Sequence, residues 1–329
     1  MSLEFLISKI QKNKFLLIGR AGIDIYPDPP GTKTENAKNF VTHLGGSSAN
    51  MGVELTKLGG NCSLLTKVSD DALGRLAINQ LDSYGVKRDL VKFEKNETRI
   101  SFAIVESTIN DHQSIIYRHK ASDLFLSKID IENSSLVDFE CILITGTSLA
   151  AEPSRSATLY ALDIAKKNNI PVVMDIDYRP YTWESADKAK EIYNIAANSC
   201  SGVIGNDDEF GILSGNYSTG LEYAKKLSLK SDLVIYKKGE KGSITFANNK
   251  EIIKGVFLVK PLKPTGAGDA FMGSLIGALL KNYELEQAIE IGSAAAAIVV
   301  TKVGCAPAMP DLEEIVEFMR SNIINEGEK

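Results

Sequence analysis

The stretch PTGAGDAFMG at residues 264–273 constrains this chain most, because two glycines and an acid open an apolar run that continues to Leu280. Gly266 and Gly268 lack a Cβ, so the backbone is free to turn tightly and to aim its N–H groups at an anion from a helix N-terminus. Asp269 is the informative residue. A carboxylate beside a bound phosphate repels it, so a site that only binds gains little from one. Phosphoryl transfer, by contrast, needs a base to accept the proton of the attacking hydroxyl. The same letters also suit a capped helix with an acid at its positive end. A dinucleotide fingerprint fits less well, since GxGxxG opens a first strand-turn-helix unit and Gly266 lies near the far end. No GxxxxGK[ST] phosphate loop occurs.

The 329 residues, 44% of them hydrophobic, are enough for a substantial core. One large domain spanning 1–329 with a small appendage is expected. The formal charge of −5 argues against a nucleic-acid footprint, so any anionic ligand must be held locally. Cys62, Cys141, Cys200 and Cys305 are far apart and form no CxxC pair, which indicates neither a zinc knuckle nor a disulfide framework. Free thiols in a reducing cytoplasm are the expectation. The N-terminal stretch is too polar for a signal peptide and lacks a small-residue cleavage site. The most apolar stretches are too short and too interrupted to span a membrane.

Along the chain, residues 14–18 read as a buried strand that delivers Arg20, Gly22 and Asp24 to its C-terminal end, where open α/β sheets bind ligands. Prolines in IDIYPDPP are expected to stop regular structure just after Asp24. LGGSSANMGVELTKL at residues 44–58 reads as a glycine turn and a helix, with Ser47 or Ser48 as N-cap. Gly45 and Gly46 permit close backbone approach. Asn50, in the first turns, points back toward them and suits a polyol hydroxyl, a core or capping amide being the alternative. Strand 61–67 and helix 71–84 continue a βαβα rhythm. That rhythm breaks at residues 98–120, where RISFAIVES and QSIIYRHK alternate about the polar turn TINDH as a hairpin does. With the segment at about 23–43, this hairpin is read as a β lid over the strand ends. Arg118 and Lys120 leave its second strand, available to a carboxylate or simply protecting an edge.

From Glu140 the alternation resumes with strand 141–145, helix 153–168 and strand 171–176, which discharges Asp175, Asp177 and Arg179. A short strand then leads to Asn206, Asp207, Asp208 and Glu209. Three acids in four positions suit a hard cation held directly or through water, and they equally suit an acidic helix start. Strand 233–238 runs into KKGEKGS, with Lys238 and Gly239 at its turn. Two apolar helices at 270–281 and 285–302 and a last amphipathic one at about 312–323 close the chain.

Taken in order, GGSSAN, DIDYR, NDDE and GAGDAFMG resemble the PfkB-type, or ribokinase-like, carbohydrate kinases, over nearly the whole chain. The resemblance implies an α/β three-layer sandwich with a central, mostly parallel sheet and a small β lid, and transfer of the γ-phosphoryl of ATP, with Mg²⁺, to a hydroxyl. By the same resemblance Asp269 is the base, and Gly266, Ala267 and Gly268 form its anion hole. Asn206 and Glu209 match the NxxE motif that organises Mg²⁺ and phosphate. Thr265, Lys238 and Gly239 fall on the nucleotide side, while Asp24, Gly45, Gly46 and Asn50 hold sugar hydroxyls. GRAGIDIYP, EPSRSATLYAL and DIDYRPYTW are most similar to the branch of inositol catabolism that phosphorylates the C6 hydroxyl of a keto-deoxy sugar acid. Arg20, Arg118, Lys120 and Arg179 are then candidates for the carboxylate. The alternatives are 2-keto-3-deoxygluconate kinase or another sugar kinase, a non-catalytic sugar-binding regulator and, more remotely, a dinucleotide oxidoreductase. A homodimer through the lid is expected. Many relatives carry an aspartate three residues before the first glycine of GAGD, where it helps bind a monovalent cation. This chain has Lys263 there, and its ammonium is expected to take the ion's place or to lie in solvent.

Overall fold

The computed structural model describes residues 2–95 and 97–326. In chain order its main strands are β1 (Phe15–Ile18), β2 (Gly22–Asp28), β3 (Asn39–Gly45), β4 (Cys62–Ser69), β5 (Val91–Glu94), β6 (Phe102–Val105), β7 (Ser114–Tyr117), β8 (Cys141–Thr145), β9 (Val172–Asp175), β10 (Gly202–Asn206), β11 (Leu233–Lys237), β12 (Ser243–Ala247) and β13 (Lys250–Lys254). Among the described residues nine of them form one sheet in the order β13-β12-β11-β10-β9-β8-β1-β4-β5. The seven strands from β11 to β5 are parallel, and β12 and β13 return antiparallel at one edge.

β1 shows why this is a three-layer structure. All four of its residues are buried, as expected for a parallel strand covered on both faces. Phe15 and Leu17 enter one apolar cluster, with the helices Ser47–Lys57, Ala267–Leu280 and Leu285–Val300. Leu16 and Ile18 enter the other, with Ser154–Lys167 and Ala186–Ala197. β1 is also where the strand order reverses, since its neighbours are β4 on one side and β8 on the other. Arg20 leaves the sheet there, at the kind of crevice where open α/β sheets bind ligands.

A second sheet of four strands, β3-β2-β6-β7, lies apart from the first. Here the expectation about the prolines after Asp24 fails. β2 runs unbroken from Gly22 to Asp28 with Pro27 inside it. Pro27 lies past residues 23–25, the part of β2 that pairs with β6, so its missing N–H falls where only β3 remains as neighbour. The edge strands leave Phe40, Val41, Ile115 and Tyr117 exposed.

The start of the Ser47 helix also differs from expectation. Its N-cap is Gly46 at φ 95°, with no side-chain cap, and both serines are helical. A Cβ on Gly46 would lie 2.5 Å from the Arg20 carbonyl oxygen, so glycine is required by conformation and by space. The serine hydroxyls are thereby freed for tertiary bonds. Ser47 donates to Asp177, and Ser48 bonds to the Ile18 carbonyl and to Thr145.

Candidate active site

Asp269 lies in the first turn of the Ala267–Leu280 helix, whose N-cap, Gly266, has φ 88° and no side-chain cap. A Cβ at Gly266 would come within 3.0 Å of both Cys305 Sγ and Val299 Cγ1. Without side-chain partners, the first N–H groups of this helix remain aimed at the cavity in front of it, an arrangement suited to an anion. Asp269 accepts a hydrogen bond from Asn50 Nδ2 at 2.8 Å. Part of its surface faces the cavity, yet the surrounding protein still desolvates the carboxyl and pushes its pKa up to about 7. The charge of Asp177 adds to the rise, and the Asn50 bond opposes it.

The cavity measures about 850 Å³ and runs along the C-terminal ends of the parallel strands. One end is polar, with Arg20, Asp24, Gly46, Asn50, Asp177 and Arg179. Arg20 is buried, reaches Ser101 Oγ through Nη1 at 3.4 Å, and has no partner at Nε. Arg179 pairs with Asp177 at 2.7 Å while its side chain stays 44% exposed. Asp24 accepts from Tyr26 Oη at 3.4 Å, and burial raises its pKa against the opposing charge of Arg20. The opposite end is walled by Val256, Leu258, Val259, Pro261, Ala296 and Val300. Ser293 Oγ and Thr265 Oγ1 are buried there without partners. An apolar wall with unsatisfied hydroxyls beside a bare helix N-terminus suits a ligand with an apolar body and an anionic end.

Asn206 and Glu209 are joined in a capping box at the start of the helix Asp207–Ser214. Asn206 Oδ1 accepts from the Glu209 N–H at 2.9 Å, and Glu209 Oε2 accepts from the Asn206 N–H at 2.8 Å. Glu209 Oε1 takes the Tyr178 N–H at 3.2 Å. Glu209 therefore faces the cavity with both oxygens already oriented by backbone. Asp207 and Asp208 are exposed. Among the described residues no cluster of three or more His, Cys, Asp or Glu side chains is placed to hold a metal ion. The fit is to a cation carried by phosphates and water, not to one caged by protein.

The profile of the pfkB family of carbohydrate kinases matches residues 12–312. The chain belongs to this family. It is 36% identical over 312 residues to a 5-dehydro-2-deoxygluconokinase of Photobacterium profundum, covering 93% of this chain and 94% of that protein. It is 34% identical over 327 residues to one of Clostridium botulinum, covering 97% and 96%. Among solved structures, a putative ribokinase II of E. coli in complex with ATP and Mg²⁺ superposes with a TM-score of 0.85 at 22% identity, over 94% of this chain and 99% of that one. A Vibrio cholerae fructokinase with fructose, ADP and potassium superposes at 0.82 and 24% identity, over 93% and 98%. At these identities the likeness to both structures concerns the fold.

For this PfkB-family kinase, the structure separates residues that the sequence grouped together. Arg20, Asp24, Gly46, Asn50 and Arg179 share the polar end of the cavity, and Asn206, Glu209, Gly239 and residues 265–269 share the remainder. Gly45 does not line it. A Cβ there would sit 2.1 Å from Asp24 Oδ1, so Gly45 makes room for the carboxylate instead of touching a ligand. Arg118 is withdrawn as well: its guanidinium grips Asp123 through Nε, at 3.0 Å, and through Nη2. Lys120 is exposed and borders, with Arg118 and Tyr117, a separate cleft at the edge of the small sheet.

Lys238 is also misplaced by one residue. Its N–H closes the turn onto Gly242 O, and the side chain that enters the cavity is that of Lys237. Strand alternation carried the missed signal, because Leu233 and Ile235 pack on the face of the Ala267 helix and Lys237 continues that series. Asp175, whose carboxyl burial pushes up to about 8, is a further cavity residue that the motifs did not single out as a site residue.

Lys263 is fully buried. Its Nζ donates to the Thr265 carbonyl at 2.7 Å and the Val299 carbonyl at 3.2 Å, tying the loop before Gly266 to the end of the Leu285–Val300 helix. The solvated alternative is thereby excluded. Burial lowers its pKa, opposed by Cys305, Asp24 and Asp269.

Proposed function

We propose that this chain transfers the γ-phosphoryl group of ATP to the C6 hydroxyl of a keto-deoxy sugar acid, 5-dehydro-2-deoxy-D-gluconate, as in inositol catabolism. The observation that carries this reading is one cavity holding both an acid at a bare helix N-terminus, Asp269, and two arginines at its polar end, Arg20 and Arg179. A neutral sugar has no use for a desolvated guanidinium such as Arg20. A carboxylate does. Asp24 and Asn50 are placed for hydroxyls, Asp269 accepts the proton of the attacking hydroxyl, and the N–H groups after Gly266 take up negative charge on the moving group. ATP supplies the phosphoryl group. Glu209 and Asn206 would help hold a Mg²⁺ ion that accompanies ATP, and such an ion would offset charge on the phosphates. The small sheet, whose Ala103, Val105 and Ile116 line the cavity, keeps water from the transfer.

In the same reading Lys263 replaces a monovalent cation, since its ammonium already occupies carbonyl oxygens beside the anion cradle. The exposed apolar residues on the edges of the small sheet suit pairing with a second copy of the chain, which light scattering checks. The cytoplasm is the compartment that fits four free cysteines and the supply of ATP. A panel of acceptors with ATP tests the main assignment. 5-Dehydro-2-deoxy-D-gluconate should be phosphorylated in preference to 2-keto-3-deoxygluconate, fructose and ribose. Preference for the neutral sugars would overturn it.

A further inference from the structure

The phosphate side of the cavity contains an ammonium that neither the glycine motif nor the acidic motif accounts for. Lys237 is the last residue of β11, paired in register with Asn206 at the end of β10. Its side chain crosses the strand ends toward the Ala267 helix, with Nζ 5.6 Å from the centre of the Phe271 ring. A Cβ built on Gly268 would stand 3.5 Å from Lys237 Nζ and 3.7 Å from Asp175 Oδ2. The ammonium therefore borders Gly268, the last residue of the anion cradle, on the cavity side.

Two roles are open to such a lysine. One is to balance the buried carboxyls of Asp175 and Glu209; burial raises the pKa of both, and the charge of Lys237 opposes the rise in each. Balance of that kind is usually made through a direct ion pair. Yet among the described residues the Lys237 ammonium makes no ion pair or hydrogen bond, and it lies over the Phe271 ring. Its three N–H donors remain for something in the cavity. The distribution of charge shows what that is. Arg20 and Arg179 stand at the polar end with Asp24 and Asp177, and Lys263 is turned away onto backbone carbonyls. Lys237 is thus a cationic side chain that lines the cavity directly beside Gly268. A polyphosphate brought there next to Asp175, Glu209 and Asp269 needs a positive charge at short range.

We propose that Lys237 is a catalytic residue that donates hydrogen bonds to the γ-phosphoryl group during its transfer. This rests on the kinase reading above. As the acceptor hydroxyl oxygen bonds to the γ-phosphorus, its proton passes to Asp269. The bond from that phosphorus to the β,γ-bridging oxygen breaks, and the electron pair leaves with ADP. Lys237 keeps its proton throughout and offsets charge on the non-bridging oxygens of the group in flight. Preorganised charge of this kind acts mainly on the transition state.

The test compares Lys237→Met and Lys237→Arg with the native chain in kcat, in ADP affinity by calorimetry and in the affinity ratio of β,γ-methylene ATP to ADP. Lys237→Met should lower kcat by ~10²–10³-fold, leave ADP affinity within about threefold and shift the ratio toward ADP. Lys237→Arg should restore part of kcat. A merely structural role predicts instead that kcat/KM and ADP affinity fall together with the melting temperature. That result, or a kcat within threefold of native, overturns the proposal. Should the native chain phosphorylate none of the acceptors, the kinase reading fails on its own. The nucleotide affinity ratio still decides on Lys237, and an unchanged ratio counts against it.

Discussion

Asn50 and Asp269 are 219 residues apart in sequence, and the amide of one donates to the carboxylate of the other at 2.8 Å. The helix that follows the glycine pair therefore fixes the base on the helix that follows the anion cradle. Asp269→Asn should keep the fold and nucleotide binding while kcat falls by ~10²–10⁴-fold, the scale of general-base loss. Near-native turnover would remove Asp269 from the mechanism. The pH profile gives a second check. A carboxyl held at about 7 becomes a base as pH rises, so kcat/KM should climb with pH through that value. The Asn50 bond favours the ionised form, so Asn50→Ala should move the midpoint upward. A midpoint that stays put or falls would contradict the geometry.

Arg20 and Arg118 offer a contrast between a site residue and a structural one. Arg20→Met should raise KM for the sugar acid by ~10–100-fold, as for loss of a charged hydrogen bond, and leave a neutral sugar largely unaffected. Arg118→Met strands Asp123, whose side chain is 2% exposed. It should cost roughly 3–5 kcal/mol of stability with kcat/KM of the folded fraction unchanged. Urea titration and steady-state kinetics separate the two. An acid-specific KM effect at Arg118 would return it to the site.

The contrast also shows what the sequence made legible. Strand and helix order, the hairpin of the small sheet and the glycine-led helix start at residues 266–269 were readable, because strand alternation, glycine turns and helix periodicity are local signals. Arg118 was not, since Asp123 five residues later captures it only once the chain turns at Lys120, which has φ 49°. Lys237 and Lys238 are indistinguishable as adjacent lysines until strand parity is fixed from Leu233. The bond between Ser47 and Asp177 crosses 130 residues and leaves no local trace.

Glu54 stands one turn after Asn50, fully buried against the Ala267 helix. Ser274 bonds its Oε1, its Oε2 has no partner, and burial pushes its pKa from 4.5 up to about 8. A folded-state pKa above the unfolded one means stability is full below about 4.5 and is lost as pH rises to about 8. Glu54→Gln keeps an acceptor for the Ser274 hydroxyl and removes the titration. Relative to the variant, the native chain should lose about 1.4 kcal/mol per pH unit across that window. Urea midpoints at acid, neutral and alkaline pH measure the difference. Parallel curves would mean that Glu54 is ionised in the folded state.

Lys263 makes the cation question testable from two directions. Its Nζ joins the Thr265 carbonyl, one residue before the cradle, to Val299 on the neighbouring helix, and the side chain is closed off from solvent. A K⁺ ion brought to the same carbonyls would meet a fixed positive charge, so the native chain should be indifferent to K⁺, Na⁺ or a bulky organic cation at constant ionic strength. Lys263→Met leaves two carbonyls unsatisfied and should cost roughly 1–3 kcal/mol of stability, with reduced turnover from a looser loop. Lys263→Asp removes the ammonium and supplies an anionic oxygen ligand to a hard cation. That variant should be impaired in Na⁺ and recover part of its activity in K⁺. Strong K⁺ activation of the native chain would show that the ion has a site elsewhere and that Lys263 serves only to pin the loop.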